Sequence, residues 1–169
     1  NAAAGLITVL QNSGTKSALP EIRQALENKG PVARRAAVEA VAVLGGEETV
    51  PEIFAFMSQT TNAEDLWGCE RALLSHAGEK DWSQKVSRKA TAMLPESKPE
   101  VRRSFYWVLA QLGGAENMAA LKHAAAQAAT GYEKQDSKEF DDIIIALSYS
   151  PDRDADQVLL ALARQHRRK

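Results

Sequence analysis

The chain has 169 residues, about the length of one domain, and is 44% hydrophobic, which is enough for a continuous core. Its formal net charge of −1 gives no overall attraction to nucleic acid or to an anionic membrane surface. The single cysteine, Cys69, excludes an internal disulfide, and no apolar run approaches the roughly 20 residues of a membrane span. No signal-peptide pattern is visible, but a removed leader would leave no trace, so both a cytoplasmic and a periplasmic location stay open.

The first predicted elements are two helical hairpins, over residues 3–28 and 31–59. Pro31 suits the first turn of a helix, because its missing N–H costs nothing there. Apolar residues recur with helical spacing on both sides of Gly45-Gly46, a pair that accepts the left-handed backbone at a helix end. Each helix therefore has one apolar face, which a single hairpin cannot bury.

Three further hairpins are predicted over residues 62–94, 98–129 and 137–166. Asn62 offers a side-chain acceptor for the N–H groups at the start of a helix. Gly68 lies inside that helix, where glycine costs about 1 kcal/mol relative to alanine. We therefore expect close packing of a neighbouring helix against Gly68.

Sequence matches indicate that the hairpins are copies of one unit. The segment LPEI at 19–22 recurs as VPEI at 50–53, one hairpin later. The segment PVARR at 31–35 recurs as PEVRR at 99–103, two hairpins later. Two units of about 34 residues fit between Pro31 and Pro99, where these two segments start. Repeats of this length are typical of stacked supersecondary units.

The repeated unit has the pattern Pro-x-(Val/Ala)-Arg-Arg, then an Ala/Val stripe, Leu-Gly and a second helix with Pro-Glu-Ile. This pattern resembles short bacterial HEAT-like repeats. Repeats of this kind also occur in phycobilin lyases. The resemblance implies an all-α fold, a right-handed α-solenoid of about five stacked antiparallel helix hairpins, with residues 1–169 forming one domain. It implies almost nothing about a ligand.

The helical stripes predict which side chains lie between the layers of such a stack. The predicted core positions are Val41, Leu44, Ile53, Leu109, Leu112 and Leu121. The same register places Phe105 and Tyr106 between repeats and Trp107 on the outward side of its helix. For Trp107 two interpretations compete: either the connection 131–137 or an adjacent side chain covers the indole, or it is a docking point for a partner.

Charge is unevenly distributed along the chain. Basic residues dominate from Lys80 to Arg103, and acidic residues dominate from Glu133 to Asp156. Arg34 and its repeat equivalent Arg102 are predicted to form structural ion pairs with neighbouring repeats. For Arg88 in the basic stretch, a structural and a partner-binding role both stay open.

No catalytic, cofactor or metal site is predicted. Cys69 and His76 could share a helix face, but a metal needs three or four ligands, and no further ligand has matching spacing. No nucleophile motif or glycine-rich phosphate loop occurs.

Two functions remain from the sequence. The first is a non-catalytic scaffold that binds another protein, or a domain of the same full-length chain, through the concave face of the solenoid. The predicted partner-binding residues are Gln24, Gln59, Arg88, Trp107, His123 and Gln127. The second is an enzyme or nucleic-acid-binding protein, because HEAT-like folds include bilin lyases and some DNA glycosylases. A glycosylase needs a strongly basic groove, and the net charge argues against it.

Overall fold

The computed structural model describes residues 2–27, 30–131 and 137–166. All regular structure in these ranges is helical, with short 3₁₀ turns between α-helices and no strand. The helices group into two compact units, Asn1–Arg88 and Lys89–Lys169, and the boundary falls inside one helix. The all-α class predicted from the sequence is confirmed.

The first unit contains five complete helices and the start of a sixth. In chain order they are α1 (Ala2–Asn12), α2 (Leu19–Gln24), α3 (Pro31–Gly45), α4 (Val50–Gln59), α5 (Ala63–Leu74) and α6 (Lys80–Met93). The predicted second helix at 18–28 is shorter than expected, because 3₁₀ turns at 16–18 and 25–27 flank α2.

Helix α3 is the centre of the first unit, with α1 and α5 packed along it and the shorter α2 and α4 also in contact with it. The side of α3 that faces α1 and α2 carries Ala37, Ala40, Val41 and Leu44, which form a core with Ile7 and Ile22. Small residues on α3 allow this close approach of helices. The first helices of three successive predicted hairpins, α1, α3 and α5, therefore lie side by side.

Local sequence signals set the ends of these helices as predicted. Pro31 occupies the first turn of α3, and Gly46 ends the helix with a φ of 67°, a left-handed conformation that suits glycine. The Asn62 side chain caps α5 by accepting hydrogen bonds from the N–H groups of Glu64 and Asp65.

The expected close packing at Gly68 is confirmed. A Cβ atom added there would lie 2.7 Å from Cγ of Arg35 and 3.1 Å from Cγ1 of Val38, both on α3. Any larger side chain would separate α5 from α3.

The second unit contains the end of α6 and four further helices. These are α7 (Pro99–Leu112), α8 (Ala115–Gly131), α9 (Ser137–Ser148) and α10 (Asp154–His166). Helix α7 packs beside α9, and α8 packs beside α10, while α8 also lies against α9. Within the second unit, α7 therefore lies against both α8 and α9, and α10 lies against both α8 and α9.

The predicted core is confirmed except at one position. The buried members are Val41, Leu44, Ile53, Leu109 and Leu121. Leu112 was predicted to be buried and is only half-buried, so that prediction is wrong. The reason is that Leu112 is the last residue of α7, where Gly113 turns the chain away with a φ of 65°.

Candidate partner-binding surfaces

The predicted partner-binding residues of the first unit lie on its second helices. Gln24 is the last residue of α2, Gln59 is the last residue of α4, and both are exposed, as is Arg88 on α6. Helices α2 and α4 are joined by an ion pair, in which Nε of Arg23 lies 3.0 Å from both carboxylate oxygens of Glu52. Gln24 and Gln59 therefore end two adjacent, connected helices.

In the second unit, His123 and Gln127 are both exposed on α8. They are four residues apart, which places them on one face of the helix. Met118, Leu121 and Ala125 are buried on the opposite side of α8. The second helix of this hairpin thus has one core face and one polar, exposed face.

Trp107 is half-buried on α7 rather than openly exposed. Its ring centroid lies 5.9 Å from that of Tyr149, with the two planes tilted by 49°, an arrangement that aromatic pairs favour. An adjacent side chain therefore covers part of the indole, which is one of the two interpretations left open by the sequence. Most of the connection 131–137 lies outside the described residues.

The two arginines predicted to be structural do pair with the next first helix. Arg34 of α3 reaches Asp65 of α5, with Nε donating at 3.0 and 3.1 Å and Nη2 at 2.9 Å. Asp65 is buried, and it accepts a further hydrogen bond of 3.0 Å from the hydroxyl of Thr60. A two-pronged contact of this kind fixes both the distance and the orientation of the helices.

In the second unit Arg102 also lies beside an acid of the next first helix, but its Nε makes no hydrogen bond within the described residues. Nε of Arg102 on α7 lies 3.1 Å from Oε1 of Glu139 on α9. The hydroxyl of buried Tyr106 donates to the same oxygen at 2.6 Å. Burial raises the pKa of Tyr106, and the hydrogen bond to Glu139 raises it further, so the phenol stays protonated.

One exposed cluster was missed by sequence reasoning. Trp67 on α5 is 45% exposed, and the guanidinium carbons of Arg35 and Arg71 lie 4.5 and 5.5 Å from its ring centroid. Glu64 binds Arg35 at 2.8 Å, and Glu39 binds Arg71 at 3.1 Å. Four charged side chains and an indole thus link α3 to α5. Trp67 and Arg71 are four residues apart on one helix, and this spacing could have indicated the cluster from the sequence.

Two of the groups that could carry chemistry, Cys69 and Asp152, have structural roles or surroundings. Cys69 is fully buried, and burial first, then the charges of Asp65 and Glu70, raise the pKa of its thiol, which disfavours the nucleophilic thiolate. Both oxygens of Asp152 accept backbone hydrogen bonds, from the N–H of Asp154 at 2.9 Å and that of Gly114 at 2.6 Å. Within residues 2–27, 30–131 and 137–166, no three His, Cys, Asp or Glu side chains come together as metal ligands.

The comparisons with known proteins add no relative. Neither protein-family models nor curated proteins nor solved structures give a match to this chain. In the part of the chain that the structure describes, no helix combines the length and apolar character needed to cross a membrane.

Proposed function

We propose that this chain is a HEAT-like helical-repeat protein, a right-handed α-solenoid of about five hairpins, whose function is to bind another protein. The matches of 19–22 with 50–53 and of 31–35 with 99–103 support this proposal, and so does the packing of first helices inside each unit. The Arg34–Asp65 and Arg102–Glu139 pairs support it further, because in each the acid is the third residue of the next first helix. In both units, therefore, an arginine of one first helix lies within ion-pair distance of the third residue of the next first helix.

The observation that carries the binding function is the set of exposed polar side chains on the second helices, which remains although Arg23 of α2 and Glu52 of α4 pair with each other. On the first helices, the charges at Arg34, Arg35 and Glu39 are all engaged by α5. On the second helices, polar side chains such as Gln59 and His123 point outward from an apolar core face. Polar, exposed side chains on successive second helices suit an adaptable protein contact, since solenoids bind along the surface that these helices line.

Site-specific photo-crosslinking tests this proposal. A benzophenone amino acid is placed at Gln59 on α4 or Gln127 on α8 in the organism that makes the protein, and the products are separated by mass after irradiation. The matched control positions are Glu48, in the turn before α4, and Glu116, in the first turn of α8, and both are exposed. We expect a discrete crosslinked protein from Gln59 and Gln127 that is absent or much weaker from the control positions.

A crosslink at the control positions alone would move the binding surface from the outward faces of the second helices to the turns at their starts. No discrete product at any position would contradict a protein-binding function.

A further inference from the structure

Helix α6 carries three neighbouring cations, Lys85, Arg88 and Lys89, which we call the basic cluster. They lie three and four residues apart in one continuous helix, so their side chains are neighbours on its surface. Arg88 and Lys89 are exposed, and Lys85 is half-buried. Trp82 and Val86 of the same helix are buried, which holds α6 in place with the basic cluster at its surface.

The basic cluster has no acid of the described chain as a partner. In residues 2–27, 30–131 and 137–166, none of its three side chains forms an ion pair or a side-chain hydrogen bond. By contrast, Arg34, Arg35 and Arg71 on α3 and α5 each pair with an acid. The single acid of α6, Asp81, lies in the first turn, where a negative charge favours the helix dipole.

The energetics of the helix itself do not explain the basic cluster either. Like charges three and four residues apart destabilise a helix, and Lys85 has a like-charged neighbour at both spacings. Cations stabilise a helix through its dipole near the last turn, and the last turn of α6 carries no basic residue. The isolated chain therefore keeps an uncompensated repulsion on α6, which a negatively charged partner would remove.

We propose that the basic cluster binds an acidic segment of the partner protein, whose Asp and Glu carboxylates pair with the three cations. This inference rests on the proposed protein-binding function, because Arg88 is one of the predicted partner-binding residues and α6 is the second helix of the predicted hairpin 62–94. Charge complementarity across a contact steers the encounter and excludes partners of the wrong charge. The acidic segment supplies the carboxylates that the described chain does not bring to the basic cluster.

The composition of α6 favours an acidic protein over a nucleic acid. Affinity for nucleic acid grows with the number of phosphates that are neutralised, and the basic cluster offers only three cations. Single-stranded nucleic acid also binds by stacking its bases on exposed aromatic side chains, and the one aromatic residue of α6, Trp82, is buried. The net charge of −1 adds no long-range attraction for a polyanion.

Fluorescence anisotropy at physiological salt, with a labelled peptide of alternating glutamate and alanine, tests the proposal. The test variant combines Lys85→Glu, Arg88→Glu and Lys89→Glu. The control variant changes the net charge by the same amount at three exposed cations outside the second helices, by combining Lys16→Glu, Lys138→Glu and Arg153→Glu. We expect the wild type and the control variant to bind the peptide with about equal affinity. The test variant should bind at least about tenfold more weakly, because it sets like charges against the peptide.

Two further measurements keep this test decisive. Circular dichroism should show both variants as helical as the wild type, and if the triple test variant loses helix, Arg88→Glu alone should still weaken binding of the peptide. A peptide of alternating lysine and alanine should bind the test variant more tightly than the control variant, because only the test variant has its added acids next to one another on α6.

Three results would overturn the proposal. The first is a wild type that does not bind the glutamate peptide, and the second is an equal loss of affinity in both variants, which would mean that net charge alone attracts the peptide. The third is tighter binding of a single-stranded oligothymidine through the same three cations, which would assign the basic cluster to nucleic acid. A crosslinked protein at Gln59 or Gln127 would in each case leave the protein-binding function standing, so the two proposals can fail separately.

Discussion

The buried ion pair between Arg34 and Asp65 makes a quantitative prediction for Asp65→Ala. Removing one partner of a buried pair costs about 3–5 kcal/mol, because the other charge is left uncompensated. The Arg34 side chain keeps 17% of its surface exposed and can turn partly toward water, which places the cost at the low end of that range. Thr60 also loses its acceptor, while alanine recovers a few tenths of a kcal/mol in helix propensity. We expect a net loss of about 3 kcal/mol in the free energy of unfolding.

The neighbouring pair supplies the matched control. Glu64 lies one position earlier on α5 and binds Arg35 at 2.8 Å, but the two side chains are 51% and 29% exposed. Exposed pairs contribute about 0–1 kcal/mol, so Glu64→Ala should change stability by no more than that.

Urea unfolding followed by circular dichroism at neutral pH compares both variants with the wild type. Equal losses for Asp65→Ala and Glu64→Ala would refute the argument that burial makes the Arg34–Asp65 contact the stronger of the two. A loss below about 1 kcal/mol for Asp65→Ala would refute it as well.

Three further predictions concern the second unit. Leu109→Ala should cost about 2–5 kcal/mol in urea unfolding, because Leu109 is fully buried, and an unmoved midpoint would contradict its place in the core. Hydrogen bonds from backbone N–H groups lower the pKa of Asp152. The ionised carboxylate therefore stabilises the folded chain fully above the ordinary Asp pKa of about 3.9, and this stabilisation is lost as the pH falls through the lowered value. Asp152→Asn should therefore be less stable than the wild type at pH 7, and the difference in free energy of unfolding should shrink below about pH 4. A difference that grows as the pH falls would contradict this prediction. In a variant whose other two tryptophans are phenylalanine, Tyr149→Ala should increase acrylamide quenching of Trp107, whereas unchanged quenching would mean that Tyr149 does not cover the indole.

The sequence predicted the helices well where local chemistry decides them. Pro31, Gly46 and Asn62 act through their own backbone and side-chain geometry, so their positions in the chain were enough to place helix ends. Gly68 was also interpreted correctly, because an interior glycine has few reasons to be present other than the close approach of another helix.

Contacts between helices were harder to predict, since they depend on packing between residues that are far apart in the chain. Arg34 was expected to form an ion pair, but the sequence offered several acids, and only the fold selects Asp65. Leu112 follows the apolar stripe, yet it is half-buried because α7 ends at that residue. The periodicity of apolar residues alone does not show where the contact between two helices ends.

The exposure of surface residues was also hard to predict from the sequence. Trp107 drew attention because the repeat places it on an outward position, but Tyr149, just after the end of α9, covers part of it. Trp67 is the more exposed tryptophan and was not singled out. Exposure of a large side chain depends on its neighbours in space, which the repeat register does not specify.

The central claim, that the exposed sides of the second helices bind a protein, is tested most directly by titration calorimetry with the partner recovered by photo-crosslinking. The test variant combines Gln59→Ala, Arg88→Ala and Gln127→Ala, and the control variant combines Glu48→Ala and Glu116→Ala. All five residues are exposed, so neither variant should lose its fold. We predict that affinity falls at least tenfold, about 1.4 kcal/mol, in the test variant and stays within twofold in the control variant. Unchanged affinity in the test variant would contradict the claim.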